Sequence, residues 1–385
     1  MVETGVQMSR PEVSVVVVNL NGKKHLEHLL PSLMAQDLPK GAMEVVLVDN
    51  GSTDDSLAFA AKHFPGIRFV PLQKNYGFAT ANTEGVKAAK GRCVALVNND
   101  MKVPLDWLRH FLDDAEEGTV LAGRILDWEG RKIDFVRGLL TFDGHAFQEG
   151  QGFPIAQAPP PEATPLPFPC GGNCFFERDL YIASGGFDAD FFAYLEDVDW
   201  GRRLWLTGHQ VKACPGAVVR HRGSATGLKL GMYKRAFLFE KNAFLTFYKN
   251  MEEPFFRALL PAVLMTWEHR VAALMKADPG THPLVLDPYR QKIKSDTVRI
   301  KSSHLVNHLR AFRWVHENFH ALGKKRRLVQ AGRKSSDAEY FKLFPLHLVP
   351  TYPGDDLLFT NPAFLELLPT EPKLVPRALD TILHA

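Results

Sequence analysis

Cysteine is scarce in this chain: Cys93, Cys170, Cys174 and Cys214 are the four in 385 residues, and none forms a CxxC pair. That excludes a disulfide framework and leaves a structural zinc site without its second pair of ligands, so free thiols in a reducing compartment are expected. Long apolar runs are missing as well. The run at residues 13–18 ends at Asn19 and Asn21, too short for a membrane span or the apolar part of a secretory leader, and the reading is a cytosolic protein. No GxGxxG follows any predicted strand, which argues against a dinucleotide-dependent redox enzyme. Strong net charge is also absent, with 46 Lys and Arg against 43 Asp and Glu.

The near balance hides an asymmetry. Basic and acidic residues number 22 against 28 over residues 1–227, 21 against 8 over 228–335, and 3 against 7 after that. A strongly basic block between acidic flanks suggests an anionic partner, such as phospholipid headgroups or a polyprenyl diphosphate. No zinc-finger or RRM signature accompanies the block, so nucleic acid is not expected. Phe256, Leu259, Leu260, Val263, Leu264, Trp267, Val271 and Leu274 fall at helical spacing within it. Such a stripe is either core or, given its basic surround, an interfacial face.

What is present in the first 227 residues is alternation. The β-branched run 11–21 reads as a strand buried on both faces, and residues 23–36 carry leucines at helical spacing. Strands at 44–48, 67–71 and 93–97 alternate with helices at 57–63 and 83–89, followed by a helix at 107–114 and a strand at 120–126. This is the pattern of a doubly wound sheet. Seven prolines between Phe153 and Cys170 mark a surface excursion. A short helix at 179–184, an acidic-fronted helix from FFAYLEDVDWGRRL and a strand at 212–219 complete this half. From residue 228 the pattern changes to long basic helices. The expected organisation is therefore an α/β domain at 1–227 and a helical region at 228–385 that contacts membrane or a second subunit.

The most informative stretch is ALVNND, an apolar strand stopping on Asn98, Asn99 and Asp100. Ligands of open α/β sheets sit at the carboxyl ends of strands, and an oxygen-rich cluster there suits Mg²⁺ or Mn²⁺ holding a diphosphate. A polar turn after a strand is the plain alternative. Trp200, Trp205 and the hairpin-like Phe142-Asp143-Gly144-His145 could contribute to an acceptor groove, although tryptophans in such positions are mostly core.

Taken together, VSVVVVNLNG, VDNGSTDDS, NYGFATAN, VNND, FLEDVDWGRRL and a later histidine resemble the family 2 glycosyltransferases of GT-A fold, nearest the bacterial rhamnosyltransferase-like branch. The resemblance covers roughly residues 11–227. It implies an inverting, cation-dependent transfer of a sugar, rhamnose or another hexose, from a UDP- or dTDP-linked donor. The implied acceptor is a saccharide, lipid-linked at the inner face of the cytoplasmic membrane, and a homo-oligomer is compatible with it. Asp49 matches the carboxylate that accepts from the base, with Asn19, Leu20 and Asn50 around the nucleoside. Asn75, Gly77 and Asn82 would close over base and ribose, and Asn99 would lie with them on the donor.

Asp100 matches the last position of the DxD-type motif and His221 the histidine that joins it on the cation. The motif departs from the full pattern at its first position, where Asn98 offers a neutral ligand. Glu196-Asp197 matches the ED motif, with Asp197 as base, Glu196 as its support and Asp199 as the fallback. Gly171 and Gly172 match the loop beside the donor sugar, though an ordinary turn would look the same. Erosion at Asn98 keeps a second reading open, a catalytically weak nucleotide-sugar-binding scaffold.

Overall fold

The structure is a computed structural model that describes residues 11–160, 162–223, 232–276 and 303–384. Strand β1 (Val13–Asn19) is buried along nearly its whole length, as its run of valines requires. It pairs in parallel with β2 (Met43–Asp49) on one side and β4 (Cys93–Val97) on the other, and β3 (Arg68–Pro71) extends the parallel set. Helix α1 (Lys23–Met34) buries Leu26, Leu29, Leu30 and Leu33 against this sheet. Helix α2 (Ser56–His63) follows β2, and α3 (Phe78–Ala88) follows β3. The latter starts five residues before the predicted helix. Gly77 at φ +87° turns the chain directly into it, and Ala79 and Ala81 are its fully buried contacts.

Beyond β4 the sheet becomes mixed. After β5 (Met101–Lys102) and helix α4 (Trp107–Asp113), β6 (Thr119–Asp127) and β7 (Ile133–Phe135) lead towards β10 (Asn173–Glu177). Strand β10 inserts antiparallel between β4 and β6, and β11 (Gln210–His221) runs parallel to β6 and antiparallel to β5. In the order β3-β2-β1-β4-β10-β6-β11-β5 two strands separate β4 from β11, and it is β5, the short strand that follows β4, whose pairing of Met101 with His221 brings the end of β11 back to the end of β4. The proline-rich segment is less of an excursion than its composition suggests. Leu166 and Phe168 are buried, and Leu166 N donates to Val211 O. Helices α5 (Arg178–Ala183) and α6 (Glu196–Leu206) complete this half, with Trp200 fully buried and Trp205 donating to Leu166 O, both as core.

The later chain forms α7 (Met232–Asn250), α8 (Glu253–Lys276), α9 (Ser303–Ala331) and α10 (Asp337–Leu343). Helices α11 (Asp355–Phe359) and α12 (Pro362–Leu365) and strands β12 (Leu346–Leu348) and β13 (Val375–Pro376) follow. The expected boundary at Gly227 and Leu228 falls outside the described residues. The region after it is more than helical. Strand β12 pairs with β8 (Gly138–Thr141), whose other neighbour is β9 (Ala146–Gln148), so both halves of the chain build a second, four-stranded sheet. Strands of two to four residues carry no readable period, which is why the sequence concealed them.

Leu259, Val263 and Trp267 of the apolar stripe are core, Leu264 is exposed, and the side chain of Leu274 lies outside the described residues. Much of the basic block also turns inward. Lys249 pairs with Asp188 at 2.6 Å and Asp199 at 3.0 Å, and Lys325 with Asp188 and Asp190. Arg270 pairs with Asp143 and Asp355, each at 2.9 Å. The hairpin at 142–145 lies inside this network, its His145 contacting Glu240, and so offers no acceptor groove.

Replacing Arg270 by Met leaves Asp143 and Asp355 buried without their cation. We expect a loss of about 3–5 kcal/mol, read from the urea midpoint at constant m-value.

Candidate functional site

Two groups of residues meet along the carboxyl edge of the main sheet. The first surrounds the ends of β1 and β2. Asn19 is buried, and its Nδ2 donates to Ser56 Oγ at 2.9 Å and Ser52 Oγ at 3.2 Å, with Asp49 Oδ1 at 3.5 Å. Its Oδ1 accepts from Asn99 Nδ2 at 2.9 Å. A Cβ on Gly22 would sit 2.4 Å from that pair of amides, so the chain passes directly over them. Leu20 leaves β1 half-buried beside Asn19.

Asn50 continues the group towards the 75–77 turn. Its Oδ1 accepts from Tyr76 N at 2.9 Å and its Nδ2 donates to Asn75 Oδ1 at 3.1 Å, while Asn75 Oδ1 also accepts from Gly77 N. Asn82 behaves differently. It is buried and donates to Phe78 O within its own helix, with no hydrogen bond to the other predicted residues.

The second group joins β4, β10 and β11. Gly171 N donates to Asp197 Oδ2 at 2.9 Å, and the next residue, Gly172, accepts from Asn98 N at 3.2 Å. A Cβ on Gly172 would lie 2.8 Å from Asn98 Nδ2, so these glycines permit the close approach that links α6 to the end of β4. Asp100 Oδ1 lies 3.2 Å from His221 Nε2. The other ring nitrogen faces Asp134 Oδ2 at 2.5 Å. Burial opposes a charged imidazole, but Asp100 and Asp134 overcome it and hold the His221 pKa well above the ordinary value. Burial likewise opposes the Asp100 carboxylate, and the His221 charge outweighs it.

A metal-binding role fits this pair in part. Cis ligands of an octahedral cation at 2.0–2.1 Å are separated by roughly 3 Å, which the Asp100–His221 spacing matches. Among the described residues no group of three His, Cys, Asp or Glu side chains is poised to hold a metal, so further ligands would come from Asn98, substrate or water.

Three carboxylates on the first turn of α6 have opposite surroundings. Glu196 is buried and its Oε2 has no hydrogen-bond partner among the described residues, and desolvation with the neighbouring Asp197 charge holds its pKa well up. Asp197 is also pushed up by burial, with the Gly171 and Val198 N–H groups offsetting part of it. Asp199 is fully buried and would be raised too, but Lys249 and Arg203 outweigh burial and lower its pKa. As a salt-bridged strut it is unsuited to the fallback role of base. The sequence missed Asp134, an isolated acid in a three-residue strand, and the Ser52 and Ser56 hydroxyls, which read as turn and capping residues.

Known proteins resemble this chain in sequence and in fold. The family model described as glycosyl transferase family 2 matches residues 14–184, a span that stops short of Glu196, Asp197 and His221. An N-acetylglucosaminyl-diphospho-decaprenol L-rhamnosyltransferase of Mycobacterium tuberculosis is 29% identical over 240 residues, covering 55% of this chain and 77% of that protein. The succinoglycan biosynthesis protein ExoO of Rhizobium meliloti is 34% identical over 107 residues, 28% of this chain and 30% of its own. Among solved structures, GalNAc-T7 with UDP, GalNAc and Mn²⁺ superimposes with a TM-score of 0.53 at 18% identity, over 67% of this chain and 52% of that one. That likeness shows the fold, a GT-A glycosyltransferase sheet.

The contrast on α6 is measurable. Asp199→Asn should cost about 3 kcal/mol by leaving Arg203 without its carboxylate and Lys249 with Asp188 alone, whereas Asp197→Asn, which removes a poorly solvated charge, should leave stability within about 0.5 kcal/mol or raise it. Urea unfolding at pH 7 compares the two.

Proposed function

This chain carries a glycosyl transferase family 2 domain at residues 14–184 and is a glycosyltransferase, and from that premise we propose that it is an inverting enzyme using a nucleotide diphosphate sugar and a divalent cation. The observation that carries this reading is the pair of contacts Gly171–Asp197 and Gly172–Asn98, which ties the ED carboxylate through one glycine loop to the strand end two residues before Asp100. In this reading Asp49, Asn19, Leu20 and Asn50 hold the nucleoside, with Asn75, Gly77, Asn82 and Asn99 closing around the donor. Gly171 and Gly172 leave room for the sugar.

Asp197 takes the proton of the acceptor hydroxyl as that oxygen bonds to the anomeric carbon and the bond to the diphosphate breaks, inverting the centre. Its raised pKa improves its basicity, and Glu196 beside it keeps the site from carrying two full charges at once. Asp100, His221 and Asn98 would hold Mn²⁺ or Mg²⁺. The cation supplies charge stabilisation for the departing diphosphate. A carboxylate–imidazole donor set suits Mn²⁺ better than the smaller, all-oxygen-preferring Mg²⁺.

The mycobacterial relative's name includes a diphospho-decaprenol and an L-rhamnosyl transfer. With that guide we propose rhamnose or another hexose on a UDP or dTDP carrier as donor, and a lipid-linked saccharide in cell-surface polysaccharide synthesis as acceptor. Among the described residues no helix is long and apolar enough to cross a membrane, so contact with such an acceptor would be peripheral. The face of α9 bearing Arg313, Lys324 and Arg327 with exposed Leu309, Phe319 and Leu328 supports an anionic inner-leaflet contact.

Calorimetric titration of UDP and dTDP with and without Mn²⁺, paired with donor turnover, tests the enzyme. Asp197→Asn should bind donor within about threefold of wild type yet lose roughly 10²–10⁴ in kcat. Full turnover in that variant removes the assignment, and tight cation-independent binding without turnover in the wild type favours a scaffold. Separately, sedimentation with anionic and neutral vesicles should show retention only on the anionic ones, reversed by raising salt from 0.05 to 0.5 M, since screening weakens surface charge contacts.

A further inference from the structure

The loop that delivers Glu196 and Asp197 has an unusual backbone. Phe192, Tyr194 and Leu195 all adopt positive φ, at 63°, 73° and 64°, and Leu195 immediately precedes the ED pair as the cap of α6. Side chains with a Cβ avoid this region, so the conformation persists only where neighbours over-determine it. The neighbour that does so lies on α7, nearly fifty residues later. Asn242 is fully buried, and its Nδ2 reaches Phe191 O at 3.0 Å, Ala193 O at 2.9 Å and Tyr194 O at 2.6 Å.

One amide group with two hydrogens thus serves three carbonyls of a single loop. The opposite amide orientation would aim oxygen at the same three acceptors, so the donor assignment is forced by the surroundings. Among the described residues Asn242 Oδ1 has no hydrogen-bond partner, so the side chain's hydrogen bonds there all run through its nitrogen. The loop it grips also reaches the other half of the site. Phe192 O accepts from Ala79 N at 3.1 Å, and a Cβ on Gly77 would lie 2.4 Å from that same oxygen.

We propose that Asn242 is a positioning residue for transfer. By clamping residues 191–194 it fixes the left-handed entry to α6, and through it the place of Asp197 relative to Gly171 and the Asp100–His221 pair. The inference rests on the reading of Asp197 as the base. It makes the C-terminal helices part of the catalytic apparatus although they contribute no group to the reacting atoms.

The test uses the full chain. Asn242→Ala and the near-isosteric Asn242→Asp, which replaces the donor by a carboxylate facing three carbonyls, are compared with wild type for UDP affinity in Mn²⁺, for kcat and KM of donor turnover, and for the urea midpoint. Misplacing a base by about 1 Å costs on the order of a hundredfold, so kcat should fall ten- to a hundredfold while UDP affinity stays within about threefold. Glycine at position 194 accepts positive φ without penalty, so adding Tyr194→Gly to Asn242→Ala should recover at least threefold of the lost rate.

Unchanged kcat in Asn242→Asp overturns the proposal. So does a fall in kcat matched by an equal fall in UDP affinity and no rescue by glycine, the pattern of a merely structural residue. If Asn242→Ala does not fold, Asn242→Ser, which keeps one donor, takes its place under the same criteria. A wild-type chain that binds UDP without turning over any UDP- or dTDP-linked sugar defeats the functional reading instead.

Discussion

The pairing of Lys249 with Asp188 and Asp199 is the constraint on which the rest of the structure depends. Two carboxylates from the catalytic half and an ammonium from α7 are withdrawn from water together, an arrangement that tolerates little misalignment because any unpaired member is costly. Lys325 adds a second cation to Asp188 and one to Asp190, and Asn250 donates to Asp199. The charge excess of residues 228–335 is therefore in good part complementary to the chain's own acidic flanks. The geometry of α6 follows, since Asp199 anchors its first turn from behind while Asp197 faces the opposite way, towards Gly171.

That division explains how neighbouring carboxylates acquire different chemistry. Asp199 is ionised because two cations face it, whereas Glu196 and Asp197 are held towards the neutral form by burial with little to compensate. Environment rather than residue type separates the strut from the groups with acid–base potential. Around the ends of β1 and β2 the sheet edge is instead lined by amides, whose mutual hydrogen bonds fix their orientation before any ligand arrives.

The parallel core was legible because β-branched runs such as Val13–Val18 and leucines at helical spacing in α1 report local periodicity directly. Asp100 and His221 were legible as a pair only through motif order, being far apart in the chain yet 3.2 Å apart in space. Several features left no local trace. Asp134 occupies a short strand with an unremarkable pattern, Asn242 sits inside a long basic helix, and the hairpin at 142–145 carried an acceptor-groove reading because its buried partners arrive a hundred residues later. Asn82 lies inside α3 rather than in the turn before it, because a turn-rich sequence does not say where a helix begins.

The second sheet has a temporal consequence. Strand β8 acquires its neighbour β12 only from residues 346–348, and β12 in turn acquires β13 from residues 375–376. At ribosomal rates of about 5–20 residues per second, β8 emerges on the order of ten seconds or more before its partners exist. Throughout that interval the nascent polypeptide displays an unfilled pairing edge together with Asp143 awaiting Arg270. The second sheet can therefore close only once residue 376 has been made, and until then that edge stays open to any strand able to pair with it.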